Sequence, residues 1–227
     1  MAFLAKIGQV LNTEISKDLI FKKKELEENT YSFLEDMKKR RSYYELSNRV
    51  SLSPEYLTQL IKEAARCCPS ALNSQSARIV ILLEDSHFKF WQMVKEVQHH
   101  AVAEAIWESM DIKVDRCASA FGTVLFFEDQ DIIQSLQKRK PLQAEEFQLW
   151  SEQTSGMVQY AVWTAIASTG LGASIHHFNP SIDQATTDLL DLPKQWQLKA
   201  QLVFGSILET AVNKNELNDE VIFRVLS

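Results

Sequence analysis

The chain has 227 residues, 45% of them hydrophobic, which is enough for one domain with its own core. Its net charge is −6 and it has no basic stripe, so we do not expect it to bind nucleic acid. No apolar run is long enough to span a bilayer, so we expect no association with a membrane.

Two features of the chain predict its compartment. The apolar stretch at the start, Met1–Ile7, is short and interrupted by Lys6, which is not typical of a secretory signal. The three cysteines, Cys67, Cys68 and Cys117, are too few for a disulfide framework, and their odd, low count suits a reducing compartment. We therefore expect free thiols and a cytoplasmic protein.

Residues 1–29 form an N-terminal extension with apolar residues at helical spacing. We predict a helix that packs on the main domain or on a partner subunit. A membrane-surface helix fits less well because the polar face has few basic residues. Disorder in solution is the third alternative.

The main domain, residues 30–227, begins with a predicted helix that ends at Arg40 and Arg41. Ser53-Pro54-Glu55 is a helix start, and the apolar period continues to Cys67 before Pro69 ends the helix. Two further elements follow, a buried strand over Ile79–Leu83 and a helix from Ser86 to about Met110.

The second half of the chain predicts more strands than helices. The predicted helices are a short one over Ile132–Leu136, a long one over Trp150–Thr169 and one over Asp183–Leu190. The predicted strands are Thr123–Phe127, Ala173–His176, Gln201–Phe204 and Val221–Leu226. Because helices and strands alternate irregularly, we predict an α+β fold with a central mixed or antiparallel sheet flanked by helices.

Two polar segments carry the residues best suited to bind a ligand. Arg40-Arg41-Ser42-Tyr43-Tyr44 offers two guanidinium groups and three hydroxyls, and Pro69–Arg78 contains small and amide residues. Such groups suit a phosphorylated, planar ligand rich in amide groups, of which flavin mononucleotide (FMN) is one. Gly170-x-Gly172 lacks a third glycine and follows a helix, so a dinucleotide loop is not expected. The chain has two histidine pairs, His99-His100 and His176-His177. No metal site is expected, because no cysteine or carboxylate lies at ligand spacing near either pair.

The sequence resembles the flavin-dependent nitroreductase family, and within it the fatty-acid-repression-mutant-like subfamily of small nitroreductases. The similarity covers roughly residues 30–226 and rests on six segments in the expected order. These are residues 40–44, 69–78, 122–129, 150–156, 170–180 and 204–206. The resemblance implies an α+β sandwich and a domain-intertwined homodimer with two FMN sites at its interface.

The resemblance also implies roles for the basic residues. Arg40, Arg41 and Ser42 would hold the FMN phosphate and the start of the ribityl chain. Tyr44 stands where the family often has a basic or polar group that reaches the flavin. Arg224 would add a second phosphate contact near the C-terminus.

Other residues would contact the flavin ring and the ribityl hydroxyls. The partner subunit would contribute Ser70, Asn73 and Gln75. The segment Ile175-His176-His177 would pass over the flavin face near its reactive nitrogen, with His177 a candidate proton donor. The chain departs from common subfamily residues at Leu72, where Phe is usual, and at His176, where Gln is usual.

The activity that this resemblance implies is FMN-dependent NAD(P)H oxidation coupled to reduction of nitroaromatic or quinone-type acceptors. NADH or NADPH and the acceptor would use the same site in turn, giving ping-pong kinetics. No side-chain nucleophile is required, because the chemistry takes place on the flavin. The alternative is a flavin-binding sensor or lipid-signalling regulator with little turnover.

Overall fold

The computed structural model describes residues 33–226, in which five strands form one sheet. The strands are β1 (Leu46–Ser47), β2 (Ala77–Leu83), β3 (Gly122–Asp129), β4 (Gly172–His176) and β5 (Trp196–Ile207). Every strand pair is antiparallel, and β5 pairs with β1, β3 and β4. An isolated parallel bridge joins Ser42 to Ala173 at the edge of β4.

Helices cover both faces of this sheet. Residues 33–39 are helical (α1). The other α-helices are α2 (Pro54–Arg66), α3 (Glu84–Ala101), α4 (Glu104–Ala118), α5 (Gln130–Arg139), α6 (Ala144–Ser168), α7 (Asp183–Leu190) and α8 (Asp219–Ile222). Short 3-10 turns span Ala71–Asn73 and Pro141–Gln143. None of the helices in this part of the chain is both long and apolar enough to cross a membrane.

Strand β3 lies in the middle of the core, with all eight of its residues buried. Its side chains alternate between two apolar layers, as the pleat of a strand requires. Leu125 and Phe127 pack in the layer that α3 and α4 cover, with Trp91 at its centre. Val124 and Phe126 pack in the layer that α2 and α6 cover. The predicted α+β fold with a central antiparallel sheet between helices is therefore confirmed.

The predicted strand over Val221–Leu226 is wrong. Asn218 caps the short helix α8 by accepting a hydrogen bond from the Glu220 amide. Within residues 33–226, the residues after α8 have no strand partner, and Val225 and Leu226 are 92% and 93% exposed. An apolar run forms a strand only where a sheet edge meets it, and no edge meets this one among the described residues.

Other elements differ from the prediction in their bounds: α6 begins at Ala144 and not at Trp150, and β5 begins at Trp196 and not at Gln201. The helix expected from Ser86 to Met110 is interrupted at Val102 and Ala103, and its second part, α4, continues to Ala118. Strand β1 is too short to carry a periodic pattern and was not predicted. The N-terminal extension, residues 1–29, lies outside the described residues, so its predicted helix stays a prediction.

Candidate functional site

A cavity of about 500 Å³ lies where residues 40–45 meet residues 209–214 and helix α4. Four basic and two acidic side chains line it. The basic side chains are Arg40, Arg41, Arg116 and Lys214, and the acidic ones are Glu45 and Glu209. Glu45 is paired with Arg116 at 2.7 Å. The cavity therefore has an excess of positive charge and suits an anion.

The backbone of residues 42–43 is fixed to the sheet. The Tyr43 amide donates to the carbonyl of Ala173 at 3.0 Å, beside the Ser42–Ala173 bridge. Three residues later the chain enters β1, which pairs with the end of β5. Sheet pairing on both sides thus positions Arg40, Arg41 and Ser42 at the cavity.

Neither guanidinium of the Arg40-Arg41 pair forms an ion pair with a carboxylate of residues 33–226. Arg41 Nη2 donates to the carbonyl of Val212. The Arg40 Cζ lies 4.5 Å from the centroid of the Trp163 ring. Both side chains therefore keep their charge for an anionic ligand.

A second cavity, of about 270 Å³, adjoins the first and shares Tyr44 and Arg116 with it. It is mostly apolar, with Lys113 and Arg116 supplying its positive charge and His176 lining it. Lys113 and Arg116 were not among the site residues predicted from the sequence. Their spacing puts them on one face of α4, but only the folded chain places that face beside Tyr44.

His176 is buried between aromatic rings at the second cavity. Its Nε2 lies 3.0 Å from Ser174 Oγ and 3.5 Å from Cys117 Sγ. Burial, reinforced by the charges of Lys113 and His177, lowers the pKa of His176 to about 4. The ring is therefore neutral near neutral pH. Burial also raises the pKa of the Cys117 thiol to about 12, so this residue remains a thiol.

The loop Pro69–Gln75 presents amide side chains on a strained backbone. Leu72, Asn73 and Gln75 all have a left-handed φ, between 49° and 54°. Ser70 Oγ accepts a hydrogen bond from the backbone N–H of Gln75 at 3.0 Å, and Arg78 donates to the backbone carbonyl of Gln75 at 2.8 Å. The side-chain amides of Asn73 and Gln75 are exposed and form no hydrogen bond within residues 33–226. The loop is thus fixed while its amides stay available.

A buried carboxylate anchors the end of this loop. Glu128, 0% exposed, accepts hydrogen bonds from Ser76 and Ser151 at 2.6 and 2.7 Å through Oε2. Its other oxygen, Oε1, is buried and has no hydrogen-bond partner among the described residues. Burial outweighs the two hydroxyl donors and raises the pKa of Glu128.

The site residues predicted from the sequence fall into separate groups in this chain. Arg40, Arg41, Ser42 and Tyr44 line the first cavity. Ser70, Asn73 and Gln75 line a different cavity of about 380 Å³. His177 is exposed and lines a polar cavity of about 420 Å³ beside α6.

The two remaining predicted residues have contrasting surroundings. Ile175 packs against the core layer that α2 and α6 cover. Arg224 lies in the exposed segment after α8. Within residues 33–226 there is no cluster of three metal-ligating side chains.

The fold is that of a known family of oxidoreductases. The sequence model of the Nitroreductase family matches residues 37–206, and the chain belongs to this family.

Solved structures and curated proteins with similar sequences agree with this assignment. Nitroreductase CinD from Lactococcus lactis, in complex with chloramphenicol, is 40% identical with a TM-score of 0.80, over 86% of this chain and 100% of that one. The same protein in complex with 4-nitrophenol is 41% identical with a TM-score of 0.79, over the same shares of the two chains. The nitroreductase FRM2 of Saccharomyces cerevisiae is 29% identical over 85% of this chain and 96% of its own length. A structure from Exiguobacterium sibiricum in complex with FMN, 16% identical with a TM-score of 0.64, shares the fold over 86% of this chain and 97% of that one.

Proposed function

We propose that this chain is an FMN-dependent NAD(P)H oxidoreductase that reduces nitroaromatic or quinone-type acceptors. The observation that carries the proposal is the pair of guanidiniums, Arg40 and Arg41, which have no carboxylate partner within residues 33–226 and lie at a cavity of about 500 Å³. A phosphate dianion is the ligand that such a pair binds most strongly. FMN carries that group at one end and a flat ring at the other.

The residues that line the two adjoining cavities suit the chemical groups of FMN. Arg40, Arg41 and Ser42 would hold the phosphate, with Lys214 as a further cation. Bound FMN would supply the electron chemistry, namely the transfer of two electrons from NADH or NADPH to an acceptor. Positive charge on Lys113 favours electron uptake by a group bound in the second cavity, whereas the charge of Arg116 is balanced by Glu45.

A second copy of the chain would complete the site in a domain-intertwined homodimer. In one chain the amides of Asn73 and Gln75 line a different cavity from Arg40 and Arg41. Both amides are exposed and unbonded within the described residues, although the loop that carries them is fixed. We propose that Ser70, Asn73 and Gln75 of one protomer bind the ribityl chain and ring edge of the FMN held by the other.

His176, the last residue of β4, and His177, which follows it, would have different roles. His177 is exposed at a polar cavity and could exchange protons with solvent, so it is the candidate proton donor. His176 is buried and neutral, so its ring would shape the second cavity and not transfer protons. Water would protonate the product where no side chain does.

The choice of acceptor is supported by the CinD complexes, which contain chloramphenicol and 4-nitrophenol. Both ligands are nitroaromatic molecules, and CinD is about 40% identical to this chain. A flat apolar acceptor fits a site in which it alternates with the nicotinamide.

An absorption spectrum and steady-state kinetics test the proposal. We expect the purified protein to be yellow and dimeric, to release FMN on denaturation, and to oxidise NADH or NADPH faster than about once per second with a nitroaromatic or quinone. A yellow protein with negligible turnover would favour a flavin-binding sensor instead. A colourless protein that does not bind added FMN would overturn the assignment.

A further inference from the structure

Helix α6 presents two aromatic rings to Arg40. The Arg40 Cζ lies 4.5 Å from the centroid of the Trp163 ring and 5.9 Å from that of Tyr160. Residues three apart lie on the same face of a helix, so the two rings form one surface. Arg40 is thus held by an element far from it in sequence.

The indole of Trp163 is retained although its N–H group is unsatisfied. Nε1 is buried and has no acceptor within residues 33–226, which is unfavourable. The ring packs against the core layer of α2 and α6, where a phenyl ring or an aliphatic side chain would avoid that penalty. The use of the indole here is therefore better explained by its face, which is the strongest aromatic surface for a cation.

Stacking has a consequence that an ion pair would not have. A carboxylate partner would occupy the N–H groups of the guanidinium and neutralise its charge. A ring face is not a carboxylate acceptor, so it leaves N–H groups of the guanidinium available for two parallel bonds to a phosphate. No carboxylate of the described chain pairs with Arg40.

We propose that Trp163 is a positioning residue that orients Arg40 for two-pronged binding of a phosphate group. This inference rests on the proposed function, since the phosphate is that of FMN. It predicts that Trp163 governs selectivity for FMN over riboflavin, which has the same ring and ribityl chain but no phosphate.

The test compares the dissociation constants for FMN and riboflavin in apoprotein variants of the full chain. We expect Trp163→Leu to lower the ratio of the riboflavin constant to the FMN constant about tenfold, with riboflavin affinity little changed. Trp163→Phe keeps a ring face, although a weaker one than that of the indole, so it should lower the ratio only about twofold to threefold. Tyr160→Leu, at a more exposed and more distant ring, should lower the ratio about twofold to threefold.

Trp150→Leu is the matched control. Trp150 is a partly buried tryptophan of the same helix that packs against Phe147, and no arginine of residues 33–226 lies over its ring. We expect it to leave the ratio unchanged. A purely structural role for Trp163 would weaken the binding of both ligands equally, and that result would overturn the inference. An unchanged ratio in both Trp163→Leu and Tyr160→Leu would overturn it as well. Either outcome would leave the proposed function intact. Failure of the unaltered protein to bind FMN would overturn both.

Discussion

Acidification should destabilise the folded chain through His176. The ordinary pKa of a histidine is 6.5, and burial lowers that of His176 to about 4. Between these values the unfolded chain carries a proton on this ring that the folded chain lacks, so lowering the pH favours unfolding. For these two pKa values the loss between about pH 7.5 and about pH 4.5 is about 2.5 kcal/mol.

Urea unfolding across this pH range measures the loss, and His176→Gln is the control. Glutamine cannot titrate, but it can accept hydrogen bonds from Ser174 and Cys117, the neighbours of Nε2. On acidification, we expect the unfolding free energy of the variant to fall by about 2.5 kcal/mol less than that of the unaltered protein. Burial also lowers the pKa of His87, but His87 is present in both proteins and its effect cancels. Parallel pH profiles for the two proteins would refute the reasoning.

Three further predictions concern other parts of the molecule. Gly205→Ala should destabilise the chain by about 3 kcal/mol in chemical denaturation, because the new Cβ would lie 2.5 Å from the Ser47 carbonyl oxygen; Gly156→Ala, with open space on α6, should stabilise it by about 1 kcal/mol. Stability shifts of the same sign in both variants would contradict this. Glu128→Gln should gain stability relative to the unaltered protein as the pH rises above 4.5. The raised pKa of Glu128 keeps a proton on the folded protein that the unfolded chain releases, so the unaltered protein loses stability as the pH rises, and glutamine does not titrate. A difference in unfolding free energy between the two proteins that does not change with pH would count against it. Arg41→Ala should weaken FMN binding by about tenfold to a hundredfold with an unchanged circular dichroism spectrum, since a charge-assisted bond to phosphate is lost; stoichiometric flavin retained through dialysis would exclude that role.

Local patterns in the sequence were sufficient to predict most of the fold. Ser53-Pro54 marked the start of α2, and the wholly apolar run Thr123–Phe127 marked β3. These elements follow from short-range chemistry, namely a hydroxyl cap and burial on both faces of a strand. The predicted strand at Val221–Leu226 failed because pairing depends on a neighbouring edge, which no local pattern reports.

The candidate site was less accessible to the same reasoning. The motif Arg40-Arg41-Ser42 is contiguous and could be found by inspection. Arg116 and Trp163 belong to helices whose own patterns describe only packing, and their roles arise from distances between elements. A pair such as Arg40 and Trp163 is joined by tertiary structure alone.

The hydrogen bond from Arg41 to the Val212 carbonyl joins residues 171 positions apart. The first cavity therefore has one wall near the beginning of the described chain and another near its end. During synthesis the ribosome must release nearly the whole domain before these walls can meet. Premature termination just after β5 would leave the sheet largely complete but the anion cavity open on one side. Chains that end there would therefore lack one wall of the FMN site proposed above.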